Sequence, residues 1–256
     1  MSTKIKSAMI LSAGLGRRMG ELTSNQPKPT IEIYGKSFIH RILDMLIDYG
    51  VDNVVINSHY HADKLLDHIK LYEKLDKIKI DFLYEPVLLE TAGGIMNAID
   101  FLEGEDFFVL NGDVLFADAT LPQLKLLEMN YDAYDMDALI LLHHKDKVFG
   151  YYGKGDFDLY DQNKNQGPLL DANAEKHFIH TGLYIMNKKF FSGQPKGYKK
   201  MMDLFQTLKH DDGTFDRIYG VVNDGYCLHV GDRKAFYELP EFLKNNNIEL
   251  QEDCDD

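Results

Sequence analysis

The chain has 256 residues, 45% hydrophobic and 27% charged with 7 Pro, a globular composition long enough for one large core or two small ones. Lys and Arg number 28 against 41 Asp and Glu; the formal charge of −13 argues against nucleic-acid partners but permits a local cationic pocket. Apolar runs such as residues 139–142 fall far short of the roughly 20 that span a bilayer, and residues 1–6 are polar, so a cytoplasmic protein without a membrane partner is expected.

Residues 7–12 (SAMILS) form a short apolar run ended by Ala13-Gly14, the pattern of a strand buried on both faces. In residues 37–49, Phe38, Ile39, Ile42, Leu43, Leu46 and Ile47 recur at helical spacing, with Ser37 as N-cap and Gly50 as stop. A strand at 54–57, a helix at 62–75, a strand at 78–84, a helix at 91–101 and a strand at 107–110 follow. Such alternation predicts right-handed crossovers and a mainly parallel sheet between layers of helix, an α/β class. After Asn111-Gly112-Asp113 the rhythm changes: a helix at 120–129, strands at 137–144, 157–160 and 178–186, and an exposed loop at 161–167. The last helix covers 233–245, and residues 246–256 read as a polar, solvated tail. Cys227 and Cys254 lack the spacing of a disulfide framework or a metal knuckle.

Chemistry first shows itself right after the opening strand. Gly14 and Gly16 let the backbone turn tightly and aim N–H groups at phosphate oxygens, and Arg17 and Arg18 add charged donors. The same glycines match part of a dinucleotide fingerprint, for which Glu32 is the nearby acidic candidate, but Pro27-Lys28-Pro29 interrupts the crossover helix that such a site needs. The two prolines fix the local backbone and bias Gln26 and Lys28 toward extended conformations, so Lys28 can be aimed inward at a phosphate. Asp113 ends a strand at the edge where open α/β sheets bind ligands.

Taken in order, Gly14-x-Gly16-x-Arg18-Met19, Pro27-Lys28-Pro29, Glu85-Pro86 through Leu89-Glu90-Thr91-Ala92-Gly93-Gly94-Ile95, Asn111-Gly112-Asp113, Thr181-Gly182 and Gly225 to Asp232 resemble the motifs of the sugar-1-phosphate nucleotidyltransferases across residues 6–245. Within that family the loop at 89–95 and the short chain look most like N-acetylmuramate α-1-phosphate uridylyltransferases of peptidoglycan recycling, with mannose-1-phosphate guanylyltransferases as near neighbours. The resemblance implies a Rossmann-like three-layer α/β/α fold in one domain: a nucleotide-binding lobe (1–116), a sugar-binding lobe (117–235) and a C-terminal helix with an acidic tail (236–256). It implies that a sugar-1-phosphate oxygen attacks the α-phosphate of a nucleoside triphosphate and expels pyrophosphate, in a monomer or homodimer.

By position, the resemblance assigns Leu11, Ala13, Gly14, Gly16, Arg18, Lys28, Glu85, Glu90, Thr91 and Ala92 to the nucleotide, and Asn111, Gly155, Thr181 and Gly182 to the sugar. It further implies that Arg18, Lys28 and Asp113 carry the catalysis, with Asp113 holding Mg²⁺ and with Mn²⁺ as the alternative ion. His229 stands where the family has a second carboxylate; imidazole is a poor Mg²⁺ ligand, so His229 or Asp232 serves the metal, or metal binding is impaired. That substitution keeps a catalytically weakened nucleotide-sugar binder open as an alternative, beside a dinucleotide-dependent oxidoreductase. His59 and His61 lack a third ligand, His143-His144 is expected at the surface, Glu175-Lys176 in a solvated turn and Phe190-Phe191 in the core.

Overall fold

A computed structural model describes residues 4–161, 164–171 and 176–250. Among them, nine strands share one mixed sheet: β1 (Ser7–Leu11), β2 (Asn53–Ser58), β3 (Lys79–Tyr84), β4 (Asp106–Asn111), β5 (Ala138–His144), β6 (Asp158–Leu159), β7 (Gln166–Leu170), β8 (Phe178–Asn187) and β9 (Thr214–Val222). Their spatial order is β6-β7-β9-β5-β8-β4-β1-β2-β3. β4, β1, β2 and β3 run parallel, with Ala8 opposite both Phe108 and Val54. β8 lies antiparallel between β4 and β5, and β9 returns parallel to β5. The sheet is thus continuous from the first lobe of the sequence into the second.

Among the described residues five helices cover it, α1 (Phe38–Tyr49), α2 (Ala62–Lys70), α3 (Glu90–Ala98), α4 (Gln123–Asn130) and α5 (Met201–Thr207), and a sixth, α6 (Arg233–Asn246), packs beside it. The apolar stripe of α1 (Ile39, Ile42, Leu43, Leu46) packs with α2 and α4 on one face of the sheet, against Ala8, Ile10, Val54 and Ile56. α3 and α5 bury Ile95, Met96, Leu204 and Phe205 on the other, with Phe190 and Phe191 in the core as expected. A third cluster joins α6 to Met19, Ile31, Ile33, Phe38 and Leu115, pinning the segment after β1 in place. Among the described residues no helix is long and apolar enough to cross a membrane.

Ser37 caps α1 by accepting from the His40 N–H at 3.3 Å, and Gly50 ends it in the left-handed conformation, as its sequence predicts. Other boundaries differ. α2 stops at Lys70 instead of 75, and α3 at Ala98 instead of 101. α4 begins only after Pro122, whose missing N–H suits a helix start and not its interior. The expected loop at 161–167 already contains the start of β7, since Gln166 pairs with Val221; residues 162–163 fall outside the described residues. β9 and α5 were not foreseen.

His143 is a further correction. It is not at the surface but wholly buried in β5, its Nδ1 3.2 Å from Thr181 Oγ1 and its ring stacked on Phe116. β5 lies between β8 and β9 and is buried on both faces through His143, leaving only His144 at its end exposed. The tail also begins less solvated than expected, because Ile248 is buried in the third cluster. The rest of the expected acidic tail, residues 251–256, and Glu175 lie outside the described residues; Lys176 pairs with Asp171.

The chain leaves β1 toward β2 and β3 on one side, then returns to β4 on the other. The loops that follow β1 and β4 therefore diverge and leave a crevice at the carboxyl ends of the two strands.

Candidate active site

That crevice is a cleft of about 460 Å³, within the usual range for a small-molecule site. Leu11, Ala13, Gly14, Gly16, Arg18, Lys28, Glu90, Thr91, Asn111 and Asp113 all line it, so patterns far apart in sequence meet around one space. Its floor depends on Gly112. A Cβ there would come within 2.5 Å of Ser12 Oγ and 2.9 Å of the Leu11 carbonyl oxygen, to which the Gly112 N–H donates at 2.8 Å. Gly16 takes φ +60° at the far turn of the loop, where Met19 buries and leaves Arg17 and Arg18 exposed on the cleft side.

Three cations (Arg17, Arg18, Lys28) face two carboxylates (Glu90, Asp113) around the cleft, a positive pocket in a chain of charge −13. Lys28 lies between Pro27 and Pro29 and is buried; its Nζ sits 2.5 Å from Asp113 Oδ2, with side-chain exposures of 11% and 33%. Burial alone would push the Asp113 carboxyl up. The Lys28 ammonium beside it, with smaller help from His229 and Arg18, holds it below the usual carboxylate range. His229 follows a short strand, Tyr226–Leu228, and its ring stacks back toward Gly231 at the cleft. Burial lowers its pKa and the nearby Asp113 partly offsets that, so the imidazole is neutral near pH 7.

A profile described as Nucleotidyl transferase matches residues 7–246, nearly the whole chain. The chain belongs to the nucleotidyl transferase family. It is 31% identical to the N-acetylmuramate alpha-1-phosphate uridylyltransferase of Caulobacter vibrioides over 92% of this chain and 96% of that one. To the mannose-1-phosphate guanylyltransferase catalytic subunit beta of Dictyostelium discoideum it is 28% identical, over 90% of this chain and 62% of that one. A crystal structure of HddC from Yersinia pseudotuberculosis complexed with GMP-PN superposes with a TM-score of 0.72 at 27% identity, covering 93% of this chain and all of that one.

Not every residue assigned from the sequence of this nucleotidyltransferase reaches the cleft. Glu85 is fully buried and does not line the cleft: Oε1 accepts from Asn57 Nδ2 at 2.7 Å, and Oε2 from the Leu89 N–H at 3.3 Å. Asn57 Oδ1 in turn accepts from the Ser12 N–H at 2.8 Å. A buried relay thus ties the glycine loop, the end of β2 and the loop before α3 together beneath the cleft. Asn57 itself lines the space, as do Ser12, Leu88 and Gly231. Sequence reading missed these four. A polar Asn at the carboxyl end of an otherwise apolar parallel strand was the available signal.

Ala92 is buried in α3. The Thr181 hydroxyl is taken up inside the sheet by His143 and the Leu141 carbonyl. Gly182, at φ +81°, lies against the Asn111 amide, which brings it to the edge of the cleft. Gly155 is instead packed on the Lys176 backbone and donates its N–H to Tyr151 Oη. The Asp232 carboxylate caps α6, accepting from the Ala235 N–H at 2.9 Å. His59 and His61 contact the backbone oxygens of Glu85 and Ser24. Among the described residues no group of three or more His, Cys, Asp or Glu could hold a metal. The donors on hand are the partly exposed Asp113 carboxylate and the neighbouring His229 ring. One carboxylate fits a Mg²⁺ ion shared with substrate phosphates and does not make a protein cage.

Proposed function

We propose that this sugar-1-phosphate nucleotidyltransferase joins UTP to N-acetylmuramate 1-phosphate, releasing pyrophosphate and a UDP-sugar. The observation that carries the reading is the Lys28–Asp113 ion pair, with Arg18 close by, in a glycine-lined cleft that Arg17 also lines. Phosphoryl chemistry of this kind needs in-line positioning and neutralised charge more than covalent help. Backbone N–H groups at Ala13, Gly14 and Gly16 cradle the phosphates. Arg18 neutralises the departing pyrophosphate, and Lys28 holds the α-phosphate while the sugar-phosphate oxygen attacks. Mg²⁺, or Mn²⁺, held by Asp113 with His229 beside it, supplies further charge neutralisation when bound. Asn111 and Gly182 face the sugar, and Glu90 and Thr91 the base.

The choice of UTP and N-acetylmuramate 1-phosphate rests on the Caulobacter vibrioides relative and on the motif at 89–95, whose Glu90 and Thr91 line the cleft. A guanylyl reading is favoured by the HddC complex with GMP-PN and the Dictyostelium relative. Pyrophosphate release, measured for each of the four NTPs against a panel of sugar-1-phosphates with Mg²⁺ or Mn²⁺, decides between them. The proposal expects UTP with N-acetylmuramate 1-phosphate to be fastest and Lys28→Ala to lose about 10²–10³ of that turnover. Greater turnover with GTP overturns the nucleotide assignment. Nucleotide binding without any pyrophosphate release leaves a nucleotide-sugar binder.

A further inference from the structure

Among the described residues lining the cleft the carboxylates are Asp113 and Glu90, and Asp113 Oδ2 is already engaged. Lys28 Nζ lies 2.5 Å away, on a side chain only 11% exposed and bracketed by Pro27 and Pro29. A lysine on a proline-fixed segment cannot drift off into solvent as a surface lysine does. Around the pair, the charged or titratable neighbours are Arg18 from the glycine loop, His229 just after the strand Tyr226–Leu228 and the buried Cys227 thiol, while Asp232, beside His229, is held as the cap of α6. Arg18 adds a second positive charge, and an imidazole carries no negative charge in either protonation state. The local formal count is therefore two cations against one carboxylate.

A divalent cation approaching this arrangement alone meets net positive charge and finds one of the two Asp113 oxygens held by an ammonium. A triphosphate meets the opposite field and offers Lys28 and Arg18 several anionic oxygens at once. We infer that Lys28 latches Asp113 in the resting enzyme, so that the divalent cation enters with the nucleotide and is never loaded ahead of it. What opens the latch rests on the nucleotidyltransferase reading above; the closed state does not.

The test is a titration of nucleotide-free enzyme with Mn²⁺, followed by the EPR signal of the free ion. The wild type takes up no Mn²⁺ beyond weak surface binding. Lys28→Met gains a site about tenfold or more tighter, the scale of an ordinary coupling between sites. Adding Asp113→Asn to that variant abolishes the gain, which places the site. Arg18→Met removes an equal charge with no bond to Asp113 and gains no more than about threefold, as expected for a screened exposed charge. Tight Mn²⁺ binding by the nucleotide-free wild type overturns the latch, without recourse to any variant. Equal gains in Lys28→Met and Arg18→Met overturn it too, because a plain field effect would then suffice. Melting curves of each variant confirm that it is folded before titration. No substrate is present in this measurement, so an active enzyme with preloaded metal and an inactive enzyme with a closed latch are told apart.

Discussion

Asn57→Asp separates a specific hydrogen-bond relay from generic core packing. The substitution is nearly isosteric, and Oδ1 still accepts from the Ser12 N–H, observed at 2.8 Å. The other atom, however, changes from a donor to a carboxylate oxygen facing Glu85 Oε1, which the present amide approaches to 2.7 Å. Two like charges at that distance repel by roughly 6 kcal/mol at an effective dielectric of about 20. Asn57→Ala instead leaves the Ser12 N–H and a Glu85 oxygen unpaired, at about 1–3 kcal/mol each. Near neutral pH the conservative change therefore costs at least as much as the truncation.

The order reverses in acid. A carboxyl pair that shares a proton has a folded-state pKa above its unfolded value. Stability is then present below the unfolded value of about 4 and is lost as pH rises through the raised one. Urea melts of both variants across the range from pH 8 down to about 5 read this directly, with Asn57→Asp recovering in acid and Asn57→Ala not doing so. The nucleotide KM should rise in both, because the relay sets the distance between the glycine loop and the loop before α3. An Asn57→Asp protein no weaker than Asn57→Ala at neutral pH, with no recovery in acid, refutes the relay.

Asp232→Ala should cost about 1 kcal/mol through the lost cap of α6, whereas Asp232→Asn, which still caps, should keep both the melting temperature and the metal response; loss of metal-dependent turnover in Asp232→Asn would show the carboxylate serving the cation after all. Burial lowers the His143 pKa to about 4, so the unfolded chain binds a proton that the folded one refuses, and stability falls as pH drops from about 6.5 toward 4, by on the order of 3 kcal/mol. His143→Gln should flatten that acid limb in a pH series of thermal melts, and an unchanged limb would mean that another group is responsible. Gly182→Ala places a methyl group on the Asn111 amide at a residue held at φ +81°. Its sugar-1-phosphate KM should rise by more than its nucleotide KM, and a purely nucleotide-side effect would remove Asn111 and Gly182 from the sugar subsite.

Residues legible in the sequence were those with a local signature. The glycine loop after a buried strand, a lysine between two prolines and an acid at a strand end each need only a few neighbouring residues to be read. All three reach the cleft, at Gly14, Lys28 and Asp113. Glu85 also stood out locally, but nothing near it in sequence shows that its carboxylate faces inward to Asn57, 28 residues earlier. His143 shows the same difficulty: beside another histidine it looks like surface, and its burial follows from its lying between β8 and β9.

Alternating apolar periods and the order of motifs were enough for the α/β class, the family resemblance and the residues of the phosphate loop, because periodicity and backbone preference are properties of short stretches. Which strand lies beside which is not such a property. Lys28 and Asp113 are 85 residues apart, and only the packing of the segment after β1 against the end of β4 makes them an ion pair. The fate of Asp232 as a cap, of Thr181 inside the sheet and of Asn57 under the cleft was settled in the same way. Each buried polar group takes the partner that the neighbouring strand or helix brings within about 3 Å, since leaving it unpaired costs more than any local preference can offset.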